Sequence, residues 1–295
     1  MSASSPPPGP ASSSRAGRSA RGAAATLHDV ARAAGVSLAT ASRLLNGSER
    51  KVDESFRERV EAAAADLGYT ANVSAQATAR GTSPVIALLV ADIADPYFGL
   101  IASGVARGAD EHGLVVTIAI TERDAEREAR IVRALRGQRP QGLILAASRT
   151  EEPMEAETAR ELGEYTRLGG RTVTFGPDGL GDRRVEIDNC AGAEALGRRM
   201  AERGYRTAIA IGAAEGVRTM SAIRDAGRQP GVDIAVCGFD DVPSSSDVTP
   251  ALTTVRVPLS EVGYQAFRAT VDPDWQQPPL PLEVIMRAST PEVAA

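Results

Sequence analysis

The feature that most constrains this chain is a pair of short apolar stripes on either side of a single glycine, between Thr26 and Gly47. Thr26, with Asp29 three residues on, is a helix-start signal in which side chains satisfy free backbone groups. Leu27, Val30, Ala31 and Ala34 follow at helical spacing and form one stripe. Gly35 ends that helix after about two turns, where a left-handed residue is needed. Ser37 is placed to cap a second short helix, and Val36 before it to staple against Ala41. In the second helix Ala41, Leu44 and Leu45 face inward, while Ala39, Ser42, Arg43 and Asn46 form a small, polar opposite stripe with one long cation. A third stripe, Phe56, Val60, Ala63, Ala64 and Leu67, runs between Asp53 and Gly68 on the inner side of a third helix. Three such helices bury one small shared core. Two short helices joined by a glycine-containing turn of three residues have the helix-turn-helix layout, whose second helix enters the DNA major groove. A plain three-helix bundle would explain the apolar stripes but not the small outward face of the second helix.

The 295 residues allow more than one folded unit. From Pro84 onward the pattern changes to apolar runs alternating with amphipathic stretches. Strands are expected at Val85–Val90, Val115–Ile120, Gly142–Ala146 and Thr172–Phe175, with helices ending near Gly113 and Gly137. A second set follows: a strand at Arg184–Ile187, a helix to Arg203, a strand at Ala208–Ile211, a helix to Ala226 and a strand at Ile234–Cys237. This alternation means βαβ units on parallel sheets. The net charge of −5 hides an asymmetry: Met1–Thr82 holds ten basic and seven acidic residues, so the head is +3 and the remainder −8. A basic head on an acidic body fits one nucleic-acid-binding end.

The head's wording, TLHDVARAAGVSLATASRLLNG from Thr26 to Gly47 and VDESFRERVEAAAADLGY before Asn72, resembles the signature of the lac repressor/galactose repressor family of bacterial transcriptional regulators. The order of the body's elements agrees with that family up to about Pro291. The resemblance implies an all-α helix-turn-helix head and an α/β periplasmic-binding-protein-like body of two parallel-sheet lobes. It implies that Thr26, Ser37, Thr40, Ser42 and Asn46 hold phosphates or fix helix register. Arg43 would reach a base edge, where a guanidinium suits guanine O6 and N7. Leu38 and Ala39 stand where family members vary to choose operators; both are apolar here, so they read thymine methyls or leave a base unread. His28 matches a backbone-contacting position, and a surface histidine without a role is the equal alternative. Asn72–Gly81 lies where the family has a hinge helix that wedges a leucine into the minor groove. Ala75 and Arg80 suit such a segment, but the wedge position is Thr78, shorter, polar and β-branched. The family's proline ahead of that segment is Ala71 here.

In the body, the resemblance implies an effector pocket between the lobes, at the carboxyl ends of parallel strands. Asp92, Asp95, Tyr97 and Phe98 follow the first strand and match a pocket turn whose aromatic stacks on the ligand. Asp188 and Asn189 mark a crossover between lobes, and Gly238-Phe239-Asp240 matches the last pocket turn, with Asp240 facing ligand hydroxyls. Loop capping is the competing role for these carboxylates. One gap stands out. Between Gly212 and Ala213 about two βα units of roughly 30 residues each are absent, along with the family's pocket Arg and its Asn-Asp pair. A shortened lobe, a degenerate gene and a sequence error each account for the gap. A sugar-like effector is therefore expected to bind weakly or not at all, unless neighbouring segments rebuild a smaller pocket.

The domain boundaries expected from these readings are a disordered arm over residues 1–25, the DNA-binding head over 26–71, the hinge over 72–83 and a two-lobed body over 84–295. The second lobe is expected at about 183–252, shortened. Cys190 and Cys237 match no zinc motif and read as two buried small hydrophobes. No apolar run approaches the roughly 18 residues of a membrane span, and the first 25 residues have no apolar core to serve as a secretory signal. Only His28 and His112 exist, with no P-loop, HExxH or CxxC, so neither an enzyme nor a cofactor or metal site is expected. The expected function is a cytoplasmic repressor that binds a near-palindromic operator as a homodimer. The alternatives are a stand-alone sugar-binding protein and a degenerate regulator without effector response.

Overall fold

A computed structural model describes residues 25–45, 54–70, 81–146, 156–175, 182–207 and 210–293. The expected arm and hinge, with Asn46, Ala75, Thr78 and Arg80, lie outside the described residues except at their borders. The chain divides into two compact units, Met1–Asn72 and Val73–Ala295.

The first unit is built from α1 (Leu27–Ala34), α2 (Leu38–Leu45) and α3 (Glu54–Asp66). The Thr26 hydroxyl accepts from the Asp29 amide at 3.3 Å, and Asp29 accepts in return from the Thr26 amide at 3.0 Å, closing the capping box. Gly35 takes the left-handed conformation, φ 65, that releases the chain from α1. A side chain there would also meet the Arg59 guanidinium, which reaches across to donate to the Ala34 carbonyl. Ser37 caps α2 by accepting from the Thr40 amide at 3.1 Å. Val30, Ala31, Ala34, Ala41, Leu44, Val60, Ala63 and Ala64 form the core, with Val36, Leu45 and Tyr69 packed on it. Two residues expected inside are not. Phe56 and Leu67 are 37% and 41% exposed, while the core takes Val60, Ala63 and Ala64 from α3 and Tyr69 from beyond its end. The Phe56 ring instead lies under the Arg59 guanidinium.

The second unit holds two sheets. The first contains β1 (Val85–Val90), β2 (Val115–Ile120), β3 (Gly142–Leu145), β4 (Arg171–Phe175) and β5 (Arg183–Val185), all parallel in the order β2-β1-β3-β4-β5. β1 and β3 are buried on both faces, as central strands of a parallel sheet must be. Their side chains alternate between two cores. Ile86, Leu88 and Val90 meet α4 (Pro96–Glu111) and α10 (Leu259–Val271). Ala87 and Leu89 meet α5 (Ala125–Gln138) and α6 (Ala156–Arg167). Helices α4 and α10 touch backbone to backbone: a Cβ on Gly104 would lie 1.8 Å from the Ser260 carbonyl oxygen, and one on Gly263 2.0 Å from that of Ile101.

The second sheet has β6 (Ala210–Gly212), β7 (Cys237–Phe239), β8 (Thr253–Arg256) and β9 (Glu283–Ile285) in that order, with β9 antiparallel. It packs between α7 (Asn189–Glu202) and α8 (Ala213–Asp225); the short α9 (Ser244–Asp247) follows β7. β6 is an edge strand and runs directly into α8, with no further βα unit between them. β5 departs from expectation: it pairs with β4 and belongs to the first sheet. Periodicity marks a strand but not its sheet, and here Arg183 decides the matter by donating to the carbonyls of Ala269, Asp272 and Pro273 at the end of α10. The second sheet thus excludes Arg183–Val185 and reaches past residue 252 to include β8 and β9. Cys237 is buried, but Cys190, expected to be, is exposed at the start of α7. No helix among the described residues is long and apolar enough to cross a membrane.

Candidate nucleic-acid interface and effector cleft

In the head, the core takes Ala41 and Leu44 from α2 and leaves the opposite side open. Leu38 is 42% exposed, Ala39 and Arg43 are exposed, and Ser42 is half-buried. The Arg43 side chain lies on the exposed side of α2, and no described residue forms an ion pair with it. Thr26 and His28 are exposed at the start of α1. Ser37 and Thr40 lie at the start of α2, their hydroxyls 2.8 Å apart, which fixes the helix entry and presents a donor there. Most of these positions came from sequence because capping and facing are set within a single turn.

In the body, strand ends of both lobes converge on a cavity of about 270 Å³. Asp95 and Tyr97 reach it from the first lobe, Asn189 from the crossover, and Glu215, Phe239 and Asp240 from the second. Asp95 caps α4, accepting from the Tyr97 amide at 3.0 Å. Glu215 lies in the first turn of α8. Asp240 follows β7 with φ 83, a conformation rare for a residue with a side chain. Burial, aided by the nearby carboxylates of Asp95 and Glu215, pushes Asp240 from the ordinary 3.8 up to about 6. Its neighbour Asp241 is paired instead, to Arg256 at 2.8 Å and Arg287 at 2.7 Å.

Of the expected effector residues, Asp95, Tyr97 and Asp240 meet at this cavity and three do not. Phe98 is fully buried in the first lobe's core, so its ring has no free face; Tyr97, edge-on to it at 5.0 Å, takes the outward position. Asp92 bends back to accept from the Ala94 amide at 2.8 Å. Asp188 caps α7 through the Ala191 amide at 2.9 Å and borders a separate groove with Arg184, Glu186 and Gln277. That groove and its neighbour, about 570 and 630 Å³, are larger but run along β5 and the 277–280 strap. Glu215 escaped sequence reasoning because an acid in a helix's first turn reads as dipole compensation.

Residues 26–72 match the family model for bacterial regulatory proteins of the lacI family, and residues 148–290 match the periplasmic binding protein-like domain. The regulator GalS of Salmonella typhimurium is 26% identical over 318 aligned positions, covering 84% of this chain and 91% of its own. Those positions outnumber this chain's 295 residues, so the relative carries residues that are missing here. The ribose operon repressor of Escherichia coli is 26% identical, covering 89% of this chain and 98% of its own. The fold is shared with the lac repressor dimer bound to operator, at a TM-score of 0.73 and 21% identity, over 90% of this chain and 99% of that one. With a matched helix-turn-helix head ahead of a matched two-lobed body, the chain belongs to the lacI family of bacterial regulatory proteins, the HTH-type transcriptional regulators.

Proposed function

We propose that this regulator binds a near-palindromic operator as a homodimer and represses transcription in the cytoplasm, without catalytic activity of its own. The carrying observation is the outer stripe of α2, where Leu38, Ala39, Ser42 and Arg43 stand clear of the head's core. A helix of eight residues offers too small a face for genomic selectivity, and a two-fold dimer doubles it. Edge strand β2 supports self-association: Val115 is 64% and Ile118 42% exposed beside an unpaired strand edge. Arg43 reads a base, while Thr26, Ser37, Thr40 and Ser42, with Asn46 and His28, meet the phosphate backbone. In the hinge, Ala75, Thr78 and Arg80 meet the minor groove. The cavity holding Asp95, Tyr97 and Asp240 is the effector site, reduced on the second-lobe side by the short β6–α8 connection.

The test is selection of bound genomic fragments, followed by gel shifts of wild type and Arg43→Ala. The variant is expected to lose about 1–3 kcal/mol of operator affinity and to relax preference at one base position in each half-site. Unchanged affinity and unchanged preference would remove Arg43 from base readout.

A further inference from the structure

We infer that α2 reads the 5-methyl group of a pyrimidine and takes thymine and 5-methylcytosine alike, so that methylation of a cytosine at that position strengthens binding. This rests on reading α2 as the recognition helix and adds the chemistry of the base edge it meets. In a helix-turn-helix the first residues of the second helix contact base edges. The first two residues of α2 are Leu38 and Ala39, and both are exposed.

Leu38 is 42% exposed and lies outside the described core, although Leu44 and Leu45 of the same helix join that core. A single leucine on a surface is ordinary. This one stands with Ala39 on the side of α2 that carries Arg43. The hydroxyls of the same turn, on Ser37 and Thr40, are 2.8 Å apart and bonded to each other, and Ser37 also caps the helix. The leading edge of the face is therefore apolar, with one cation behind it.

In the major groove thymine shows the O4 acceptor and a C5 methyl, whereas cytosine shows an N4 amino donor and a bare C5. Leu and Ala side chains carry no donor or acceptor, so they do not tell O4 from the amino group. They do tell a methyl from a hydrogen at C5, because covering the methyl with an aliphatic side chain removes apolar surface from water. 5-Methylcytosine carries the same methyl on the same carbon. Leu38 has the reach to touch it, and the small Ala39 lets the helix come close. Ala39 and Arg43, four residues apart, are neighbours on the helix face with about 6 Å of rise between them. Base pairs are spaced by about 3.4 Å, which puts the methyl within about two base pairs of the guanine that Arg43 contacts. Covering one methyl is worth about fourfold in affinity, and about 15-fold when both half-sites carry it.

The test takes the full chain and a fragment selected from genomic DNA. Each thymine of the half-site is replaced in turn by deoxyuridine, which removes only the methyl, and binding is followed by gel shift. One thymine near the Arg43-dependent guanine should lose about fourfold per half-site. At that position a cytosine–guanine pair should bind as weakly as deoxyuridine, while 5-methylcytosine should restore about the affinity of thymine. Leu38→Ala, checked for folding by thermal melting, should shrink the deoxyuridine loss below about twofold, which separates contact with the methyl from any effect of the methyl on the DNA itself. Leu38→Gln, which brings a donor and an acceptor, should discriminate thymine from 5-methylcytosine. The inference is overturned if no thymine responds to loss of its methyl, if 5-methylcytosine binds no better than cytosine, or if the loss is undiminished in Leu38→Ala. Failure to select any fragment sinks the regulator reading and this one with it, whereas selective binding without a methyl effect sinks only this one.

Discussion

Replacing Asp240 with asparagine should stabilise the protein at neutral pH. The carboxyl has an ordinary value of 3.8 and is raised to about 6 in the fold by burial and by Asp95 and Glu215. A group raised in this way contributes most favourably below pH 3.8, where it is neutral in both states. That contribution is lost as pH climbs through about 6, and above this the fold carries an ionised group it disfavours. The difference between the two values corresponds to about 3 kcal/mol at pH 7 and above, and residual solvent access reduces the recoverable part to about 1–3 kcal/mol. Asparagine keeps the shape, tolerates a left-handed backbone such as the φ of 83 found here, and removes the charge. Urea unfolding of wild type and Asp240→Asn at pH 7.5 and pH 4 measures the effect. At pH 7.5 the variant should gain about 1–3 kcal/mol, or roughly 2–12 °C in melting midpoint for a unit of this size. At pH 4 the two proteins should nearly coincide. A variant no more stable at pH 7.5, or a gain that persists undiminished at pH 4, would refute the reasoning. A carboxylate kept at such cost is expected where a site needs its charge.

Three further outcomes follow from the packing and the sequence. Gly104→Ala would drive a methyl into the Ser260 carbonyl, so forcing α4 from α10 should cost about 1–3 kcal/mol and lower the melting midpoint; an unchanged midpoint would contradict the close approach. Ile118→Lys on the β2 edge should shift the sedimentation profile toward monomer, and an unaltered profile would place the dimer contact elsewhere. Thr78→Leu, which restores an apolar wedge, should tighten operator binding and enlarge the bend in circular-permutation gel shifts; equal bends and affinities would exclude Thr78 from the wedge role.

The sequence by itself determined the head almost completely. The Thr26–Asp29 box, the left-handed Gly35 and the Ser37 cap each act within four residues, and the described geometry reproduces all three. It likewise determined the alternation of strands and helices in the body, because a continuous apolar run such as Val85–Val90 can be buried on both faces only inside a covered parallel sheet. The short step from Gly212 into α8 was legible for the same local reason.

Tertiary structure decided everything that depends on which distant segments meet. β5 reads as a strand anywhere, but only pairing with β4 and the Arg183 clamp on α10 assign it to the first sheet. Phe98 and Tyr97 are adjacent aromatics in sequence; helix geometry points one into the core and leaves the other at the cavity. Glu215 looks like an ordinary first-turn acid until the β6–α8 turn brings it beside Asp240 and Asp95. Phe56 and Leu67 fit the apolar stripe around α3, yet they stay exposed while Val60, Ala63, Ala64 and Tyr69 meet the other two helices. Caps and periodicity are energies of neighbours along the chain, and sequence displays them. Convergence of charges and choice of sheet are energies of neighbours in space, set only when the chain has closed.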